Sequence, residues 1–226
     1  MFLVERSDFQ IRLANTPVRR AEVNSLVDRM YGWRGYLLDH GEALPRYDAG
    51  QMTLQACEQG ETVGTLSLSL DSGQGLQADE LYRAEIDQLR LSGRKVCELT
   101  RLAVDNRANS MELLASLFHL LHLIGCQMGA SDAVIEVNPR HVAFYKRLLG
   151  FQQIGERKQC ARVDAPAILM HVEASYVQAQ IAKLSGLRDK QPKARASLYP
   201  YFFSLSEAEG LAQRIGRLVS SWLPAA

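Results

Sequence analysis

The pattern that most constrains the fold is a strand, a long helix and a second strand in succession. RKVCELTRLAVD is rich in apolar residues and indicates a strand. A helix is predicted from Asn109 or Ser110 to about Met128, because Ser is a suitable N-cap and Gly129 follows near the end. DAVIEVN then indicates a buried strand. A helix between two such strands, together with an earlier meander, predicts one α/β domain around a mixed sheet.

Local signals divide the rest of the chain. Thr16-Pro17 predicts a cap followed by proline at the first helical position, and this helix should run to about Met30. Gln59-Gly60 predicts a hairpin within QMTLQACEQGETVGTLSLSLD. Pro139 opens a helix that Gly150 ends. The other predictions are a strand in FQIRLAN, a long loop over YGWRGYLLDHGEALPRYDAG, a helix in LQADELYRAEIDQLRLSG, two strands in FQQIGERKQ and ARVDAPAILMHVEA, a helix in SYVQAQIAKLSG and an amphipathic helix in SLSEAEGLAQRIGRLVSSWL.

Length, charge and cysteine use limit the functional class. The 226 residues are enough for a substantial core. A formal net charge of +1 favours neither a nucleic-acid partner nor a highly acidic one. No apolar run approaches the roughly 20 residues of a membrane span, and the early acids of MFLVERSDFQIRL argue against a signal peptide. The four cysteines form no CxxC pair, which argues against a metal cluster or a disulfide framework and favours a reducing cytoplasm.

Two segments resemble the GNAT fold. NPRHVAFYKRLLGF (138–151) is similar to the GNAT signature in which a strand ends at Asn, a helix carries a Tyr, and a Gly-Phe pair starts the next strand. ACEQGETVGTLSLSL is similar to the central hairpin of that fold. The resemblance implies a mixed, mostly antiparallel sheet flanked by helices over residues 1–175. Residues 176–226 would then form a C-terminal helical extension packed on the same domain.

A narrower resemblance starts at CELTRLAV (97–104). This segment is similar to the Glu-x-x-Arg strand of acyl-homoserine lactone synthases, and residues 29–36 with Tyr47-Asp48 resemble the substrate-lining region of that group. The strongest overall resemblance, over most of residues 9–175, is to the N-acyl amino acid synthases. It implies transfer of a medium or long acyl chain from acyl carrier protein to the amine of an amino acid or similar small molecule.

The loop after the Glu-x-x-Arg strand departs from the usual GNAT pattern. Acetyl-CoA-dependent GNAT enzymes place a glycine-rich loop there, which cradles a pyrophosphate at a helix N-terminus. VDNRANSMELL (104–114) lacks those glycines, and Glu112 adds an unfavourable negative charge. Arg107 and the helix N-terminus still suit a phosphate. We therefore expect no permanently bound cofactor and a donor that is an acyl-phosphopantetheine thioester, on carrier protein rather than on free CoA.

The resemblance and the chemistry of amide formation assign roles to individual residues. Glu98 is the candidate general base, since a carboxylate beside an apolar acyl tunnel has a raised pKa. Backbone N–H groups near Ala103 and Val104 would meet the oxyanion. Tyr145 lies where the family places a hydroxyl that protonates the leaving sulfur, or it is a packing residue. Arg101 suits a substrate carboxylate.

Strand alternation complicates the Glu98 and Arg101 assignments. Residues three apart on a regular strand point to opposite faces. Either a bulge re-aims one of them, or one is structural and Arg101 pairs with an acid such as Asp48.

Further contacts follow from the same resemblance, each with a plainer alternative. Substrate contacts are implied for Trp33, Tyr36, Asp48, Val104 and Asn138, although aromatic residues are often plain core. His119 and His122 lack a third metal ligand, and His141 is explained by a helix start. An acidic carrier protein needs a basic patch, or these charges only aid solubility. The candidates are Arg140, Lys146, Arg147, Arg157 and Lys158, and separately Arg188, Lys190, Lys193 and Arg195.

Two other functions remain open on the sequence. The first is an acetyl- or acyl-CoA-dependent GNAT enzyme that acts on a small amine or a protein N-terminus. The second is a non-catalytic GNAT-like module that binds acyl chains or a partner protein. LYPYFFSLS and the last helix lie outside the standard fold and would cover the acyl tunnel or join a dimer.

Overall fold

A computed structural model of the chain describes residues 2–36, 51–108, 110–188 and 197–220. Within these ranges the strands are β1 Val4–Glu5, β2 Gln10–Leu13, β3 Gln51–Glu58, β4 Glu61–Leu70, β5 Val96–Val104, β6 Asp132–Val137, β7 Gln152–Gln153, β8 Lys158–Cys160 and β9 Ala165–Glu173. Their order in the sheet is β1-β2-β3-β4-β5-β6-β9-β7, and β8 pairs with β9. β5 and β6 are parallel, and the other described pairs are antiparallel. The predicted mixed, mostly antiparallel sheet is confirmed.

Six helices occur in the described part of the chain. They are α1 Pro17–Trp33, α2 Asp79–Leu91, α3 Met111–Gln127, α4 Val142–Leu149, α5 Ala174–Leu184 and α6 Leu205–Ser220. Short 3-10 turns occupy Asn106–Ala108, Pro139–His141, Ala161–Val163 and Tyr199–Tyr201.

The helices divide between the two faces of the sheet. On one face, α1 packs against Ala103 and α2 packs against Val96 and Val134. We call this the α1/α2 face. On the opposite face, the α3 face, the long helix α3 covers β4 and Cys97 and Leu99 of β5. Because both faces of the sheet are covered, β5 has apolar residues on each of them: Val96 and Ala103 on the α1/α2 face, and Cys97 and Leu99 on the α3 face.

The local signals in the sequence produce the expected ends of elements. Thr16 accepts the Arg19 N–H at 3.4 Å, and Pro17 is the first residue of α1. Ser110 accepts the Leu113 N–H at 3.0 Å and caps α3. Gln59 and Gly60, with φ of 50° and 88°, form the tight turn between β3 and β4, as the primed hairpin turns require. Gly150 ends α4 in the left-handed conformation at φ 78°.

The segment FQQIGERKQ forms two short strands rather than one. β7 ends at Gln153, and the N–H groups of Ile154 and Gly155 both reach the Leu169 carbonyl. A Cβ on Gly155 would lie 2.6 Å from the Tyr82 ring, so the chain can pass this point only with glycine. Tyr82 packs against this glycine, and its hydroxyl lies 3.0 Å from the Glu156 carbonyl, between β7 and β8, and 2.8 Å from the Ala167 carbonyl.

The last helix and the segment before it pack on α3. α6 lies along α3, and the Tyr199 hydroxyl donates to the Leu149 carbonyl at 2.7 Å. His119 of α3 is fully buried, stacks on Phe202 and Phe203, and accepts the Phe203 N–H at 3.1 Å through Nδ1. His119 therefore anchors this segment. No helix within the described ranges has the length and apolar character that crossing a bilayer requires.

Candidate active site

A β-bulge lies in the middle of the Glu-x-x-Arg strand. Ser67 of β4 is opposite Thr100, but Thr65 is opposite Ala103, so a single residue of β4 faces both Arg101 and Leu102. Arg101 has a φ of +59°, a conformation that costs a non-glycine residue of order 1–3 kcal/mol and clusters at active sites. The bulge shifts the alternation of side chains beyond Thr100.

The bulge brings Glu98 and Arg101 to one face of the sheet. Glu98 belongs to the α1/α2 face, since it alternates with Cys97 and Leu99. The Arg101 guanidinium donates to Asn24 Oδ1 of α1 on that same face. Of the two outcomes that strand alternation left open, the structure has the bulge. The surrounding positions Thr53, Thr65, Ser67 and Thr100 make this part of the face polar, between the apolar clusters under α1 and α2.

Glu98 is almost fully buried, and only one of its two carboxylate oxygens has a hydrogen-bond partner among the described residues. It is 1% exposed. Its Oε2 accepts the Gln77 N–H at 2.7 Å, just before α2 begins, whereas Oε1 has no hydrogen-bond partner among the described residues. Burial, helped by the nearby Glu136 carboxylate, raises the pKa of Glu98 to about 8. The group therefore has the proton affinity of a general base near neutral pH.

Further polar groups surround Glu98. Glu136 of β6 is largely buried on the same face, and burial raises its pKa to about 7. Arg162, from the turn at Ala161–Val163, donates to both Glu136 and Glu80. The Thr100 hydroxyl, two residues from Glu98, is also buried without a partner among the described residues. Glu136 Oε1 likewise has no partner there, so this polar cluster contains three buried oxygens without a hydrogen-bond partner among the described residues.

The parallel strands separate beside the bulge. Pairing of β5 with β6 ends at Leu99 opposite Ile135. Farther along β5, the Asp105 N–H donates to the Val63 carbonyl at 2.8 Å. Since N–H groups alternate along a strand, Ala103 also points its N–H toward β4, while Val104 points its N–H toward the open side. Of the two predicted oxyanion donors, Val104 has its N–H in the gap and Ala103 has it in the sheet.

Tyr145 lies in an aromatic cluster on α4. It is 6% exposed, and its ring meets Phe118, Phe144 and Phe151 edge to face. Burial raises the pKa of its hydroxyl well above the usual value. A hydroxyl of that kind is a poor acid toward a thiolate, and it is better suited to donating a hydrogen bond than to giving up its proton.

The other predicted substrate contacts are spread around the carboxyl ends of the strands. Trp33 is 68% exposed at the end of α1. The Tyr36 ring meets Tyr31 edge to face and lies 5.0 Å from the Arg140 guanidinium carbon. Asn138 accepts the Arg140 N–H at 3.2 Å and caps the turn after β6. Asp48 lies outside the described residues.

The loop before α3 is internally bonded. Asp105 Oδ1 accepts the Arg107 N–H at 3.0 Å, and the Asp105 carbonyl accepts the Ala108 N–H at 3.1 Å. The Arg107 and Arg29 guanidinium groups both pair with the Asp105 carboxylate, and the hydrogen bonds from Arg107 lower its pKa. Arg188 pairs with Glu112 in the first turn of α3. Asp105 thus already accepts the hydrogen bonds of two backbone N–H groups in this loop, one through its carboxylate and one through its carbonyl.

An apolar cavity of about 60 Å³ lies on the α3 face. Cys97, Leu99, Phe118, Gly125 and Phe151 contribute to its walls, whereas Glu98 does not. The expected tunnel that ends at Glu98 is therefore not seen among the described residues, because adjacent strand residues face opposite ways. The raised pKa of Glu98 comes from its own burial and from Glu136 rather than from an apolar tunnel.

The fold and this site define an acyltransferase with a GNAT-like fold. The model of the family described as N-acyl amino acid synthase FeeM matches residues 22–173. The chain belongs to that family, which confirms the resemblance inferred from the sequence.

Solved structures agree with this assignment. FeeM, an N-acyl amino acid synthase from uncultured soil microbes, aligns with a TM-score of 0.69 and 28% identity over 76% of this chain and 93% of FeeM. A putative N-acetyltransferase from Lactobacillus plantarum aligns at 0.55 and 16% over 74% and 99%. A probable acetyltransferase from Staphylococcus epidermidis aligns at 0.53 and 15% over 73% and 98%. The last two show the fold only. A sequence search of the curated proteins found no match.

Sequence reasoning missed Glu136 and Arg162. Glu136 interrupts the apolar run of residues 133–137 in DAVIEVN. A charged residue inside a buried strand is a signal in itself, since such residues are almost never fully buried unless paired. Arg162 gave no comparable signal, because only the folded chain brings the turn at Ala161–Val163 next to β6.

Proposed function

We propose that this acyltransferase moves a medium or long acyl chain from acyl carrier protein to the amine of an amino acid or a similar small amine. The observation that carries the proposal is the placement of Glu98 and Arg101. The bulge aims both at one face, and Glu98 is enclosed there with an open oxygen atom. A base and a guanidinium on one face suit an acceptor with an amine and a carboxylate.

The reaction follows from these positions. The acceptor carboxylate binds Arg101, and Glu98 takes a proton from the acceptor ammonium group. The free amine then attacks the thioester carbonyl, a C–N bond forms, and the Val104 N–H meets the oxygen as it gains charge. The C–S bond breaks when this intermediate collapses. The thiolate accepts the second proton of the nitrogen, while the Tyr145 hydroxyl donates a hydrogen bond to the sulfur.

The bonding within the loop before α3 supports carrier protein over free CoA as the donor. A pyrophosphate needs backbone N–H groups at the helix N-terminus. Here the N–H groups of Arg107 and Ala108 are bonded to Asp105, and Ser110 holds the Leu113 N–H. The single phosphate of a phosphopantetheine arm needs fewer N–H donors than a pyrophosphate, and the exposed Arg107 guanidinium is suited to bind it.

The apolar cavity is suited to the end of an acyl chain. Its volume of about 60 Å³ is well above the 10–15 Å³ that one water needs. Leu99, the last residue of β5 paired with β6, lines it, so the cavity begins where the strands start to separate. Phe118 and Phe151 line it as well and contact Tyr145. We propose that the chain passes Tyr145 between the strands and ends in this cavity.

An acceptor and donor screen tests the proposal. The protein is incubated with acyl carrier thioesters of 8 to about 16 carbons and with the twenty amino acids, and products are read by mass spectrometry. We expect N-acyl amino acids, and a much lower rate with the matching acyl-CoA. Absence of any N-acyl product at high enzyme concentration would overturn the proposed acceptor class. Equal rates with acyl-CoA, together with tight CoA binding in calorimetry, would overturn the proposed donor.

A further inference from the structure

Glu136 lies beside Glu98 on the neighbouring strand. Glu98 is in register with Val134 across the parallel β5–β6 pair. Glu136, two residues farther along β6, points to the same α1/α2 face as Val134 because side chains alternate. Its side chain is 12% exposed. Two enclosed carboxylates therefore occupy adjacent strands on one face.

The positive charge around this pair falls short of the negative charge. Arg162 pairs with Glu136 and with the half-exposed Glu80, and Glu98 forms no ion pair among the described residues. Enclosed like charges are unfavourable, and such a cluster retains a proton or attracts a cation. Glu98 Oε1, Glu136 Oε1 and the Thr100 hydroxyl have no partner among the described residues, although Glu98 is 1% exposed. Buried polar atoms without partners are rare in folded proteins.

A primary ammonium group would supply both the missing positive charge and the missing hydrogen-bond donors. It carries one positive charge and three N–H donors. The three open acceptors lie on one face, on β5 and β6, beside the gap that runs from Leu99 to Val104. We propose that Glu136 is a second functional carboxylate which, together with Glu98 and Thr100, holds the ammonium group of the acceptor, and that Arg162 positions Glu136. This inference rests on the proposed acyl transfer to an amine.

The proton balance gives the pair a role in the reaction. The groups that face it are Arg162 and Cys160 from the segment after β8, Glu80 and Tyr82 from α2, and the Gln77 and Ala78 N–H groups before α2. With pKa values raised to about 8 for Glu98 and about 7 for Glu136, the pair holds a proton in part near neutral pH. The entering ammonium displaces that proton to solvent. Glu98 then accepts one proton from the nitrogen, and the thiolate takes the other.

A glutamate NMR titration tests the pair without any acyl transfer. Protein labelled with carbon-13 at the glutamate side-chain carboxyls is titrated with acid and base, then with each of the twenty amino acids. In Glu136→Gln, loss of the neighbouring charge lowers the pKa of Glu98. Arg162→Gln raises it, since the guanidinium lowers the pKa of both acids. Glu85→Gln is the matched control, because Glu85 of α2 pairs with Lys158 instead. An unchanged Glu98 titration in Glu136→Gln would overturn the pairing.

Kinetics with the acceptor found in the screen test the binding role. We expect Glu136→Gln to raise the acceptor KM by about 10- to 100-fold, as loss of a hydrogen bond to a charged group implies, with the donor KM within twofold. Thr100→Val keeps a strand-forming residue and should raise the acceptor KM severalfold even if Glu136→Gln folds poorly. Normal acceptor KM values in both variants would refute the ammonium site. Absence of product with wild type would instead refute the proposed function. Changes in the glutamate NMR signals on addition of an amino acid would then still show that the carboxylate pair binds the ammonium group.

Discussion

Glu98 and Arg101 lie three residues apart on one strand and present their side chains to the same face of the sheet. The cause is the bulge at Arg101 and Leu102, where Arg101 adopts a φ of +59°. The Arg101–Asn24 hydrogen bond holds the re-aimed guanidinium against α1. A strained backbone position that re-aims a charged side chain is a feature that clusters at functional sites.

Arg101→Lys should weaken acceptors that carry a carboxylate. Lysine keeps the charge but loses the planar fork that binds a carboxylate through two hydrogen bonds. We expect the KM for an amino-acid acceptor to rise about tenfold, from loss of one charge-assisted hydrogen bond. The corresponding amino-acid amide should respond less than twofold in steady-state assays. An equal rise for both acceptors would show that Arg101 acts on the fold rather than on the carboxylate.

Glu98→Gln should remove the general base without changing the size of the side chain. We expect the rate at pH 7 to fall by about 10²–10⁴-fold, the usual contribution of such a base. In the wild type, kcat/KM should rise with pH and level off above about 8, because the base works only when ionised. In Glu98→Gln, kcat/KM should no longer show this rise with pH. Wild-type rates in Glu98→Gln would remove Glu98 from the proposed mechanism.

The same acid makes stability depend on pH. The pKa of Glu98 is about 8 in the folded protein against 4.5 for the free side chain. Between these values the folded state binds more protons than the unfolded state, so the unfolding free energy falls as pH rises through the window. Glu98→Gln cannot ionise and should escape this loss.

Calorimetry at pH 5 and pH 9 measures this effect. The Tm of the variant should exceed that of wild type at pH 9, and the difference should be smaller at pH 5. For a chain of this size each 1 kcal/mol corresponds to about 2–4 °C. A Tm difference that is the same at both pH values would mean that the Glu98 pKa is not raised by folding.

Much of the fold was predictable because its signals are local. Thr16-Pro17, Gln59-Gly60 and Gly150 mark ends of elements through their own backbone preferences. From the sequence, a bulge was one of two explanations for Glu98 and Arg101. The bulge depends on the register between β4 and β5 and places a non-glycine residue at a positive φ, and no local pattern predicts either property. The Glu136–Arg162 contact joins β6 to a turn after β8, so no local pattern announces it.

The position of the cavity was within reach of sequence reasoning. Cys97 and Leu99 alternate with Glu98, so strand geometry alone sets the apolar residues on the opposite face from the acid. The acyl tunnel expected beside Glu98 conflicted with that alternation. In the proposed path the donor passes between β5 and β6, whose pairing ends at Leu99, and so reaches both faces.

Arg107→Glu should weaken an acidic carrier protein as donor. The Arg107 side chain is 77% exposed next to the N-terminus of α3, where a charge reversal repels an acidic partner and a phosphate alike. We expect the KM for acyl carrier thioester to rise severalfold at low ionic strength, and the effect to shrink as salt screens it. Arg214→Glu, an exposed position on α6 with the same change in charge, is the control. Equal responses of the two variants would argue against docking at the α3 N-terminus.

Gly125→Ala should shorten the preferred acyl chain. Gly125 lines the cavity on α3, and a Cβ there would lie 3.4 Å from Leu68 and 3.8 Å from Cys97, which are ordinary contacts. The methyl group therefore enters the cavity without forcing its walls apart, and the helix gains about 1 kcal/mol of intrinsic propensity. We expect the optimum in a series of acyl carrier thioesters to move to a chain shorter by one or two carbons.

Gly210→Ala on α6 is the matched control for this change, because a Cβ there meets nothing within 4 Å. Both variants gain helix propensity, but only the one at Gly125 fills the cavity. A shift in chain preference confined to Gly125→Ala would support the cavity as the place where the acyl chain ends. Unchanged preference in Gly125→Ala, at unchanged or higher Tm, would mean that the chain follows another path, since the methyl group occupies space that the chain was proposed to need.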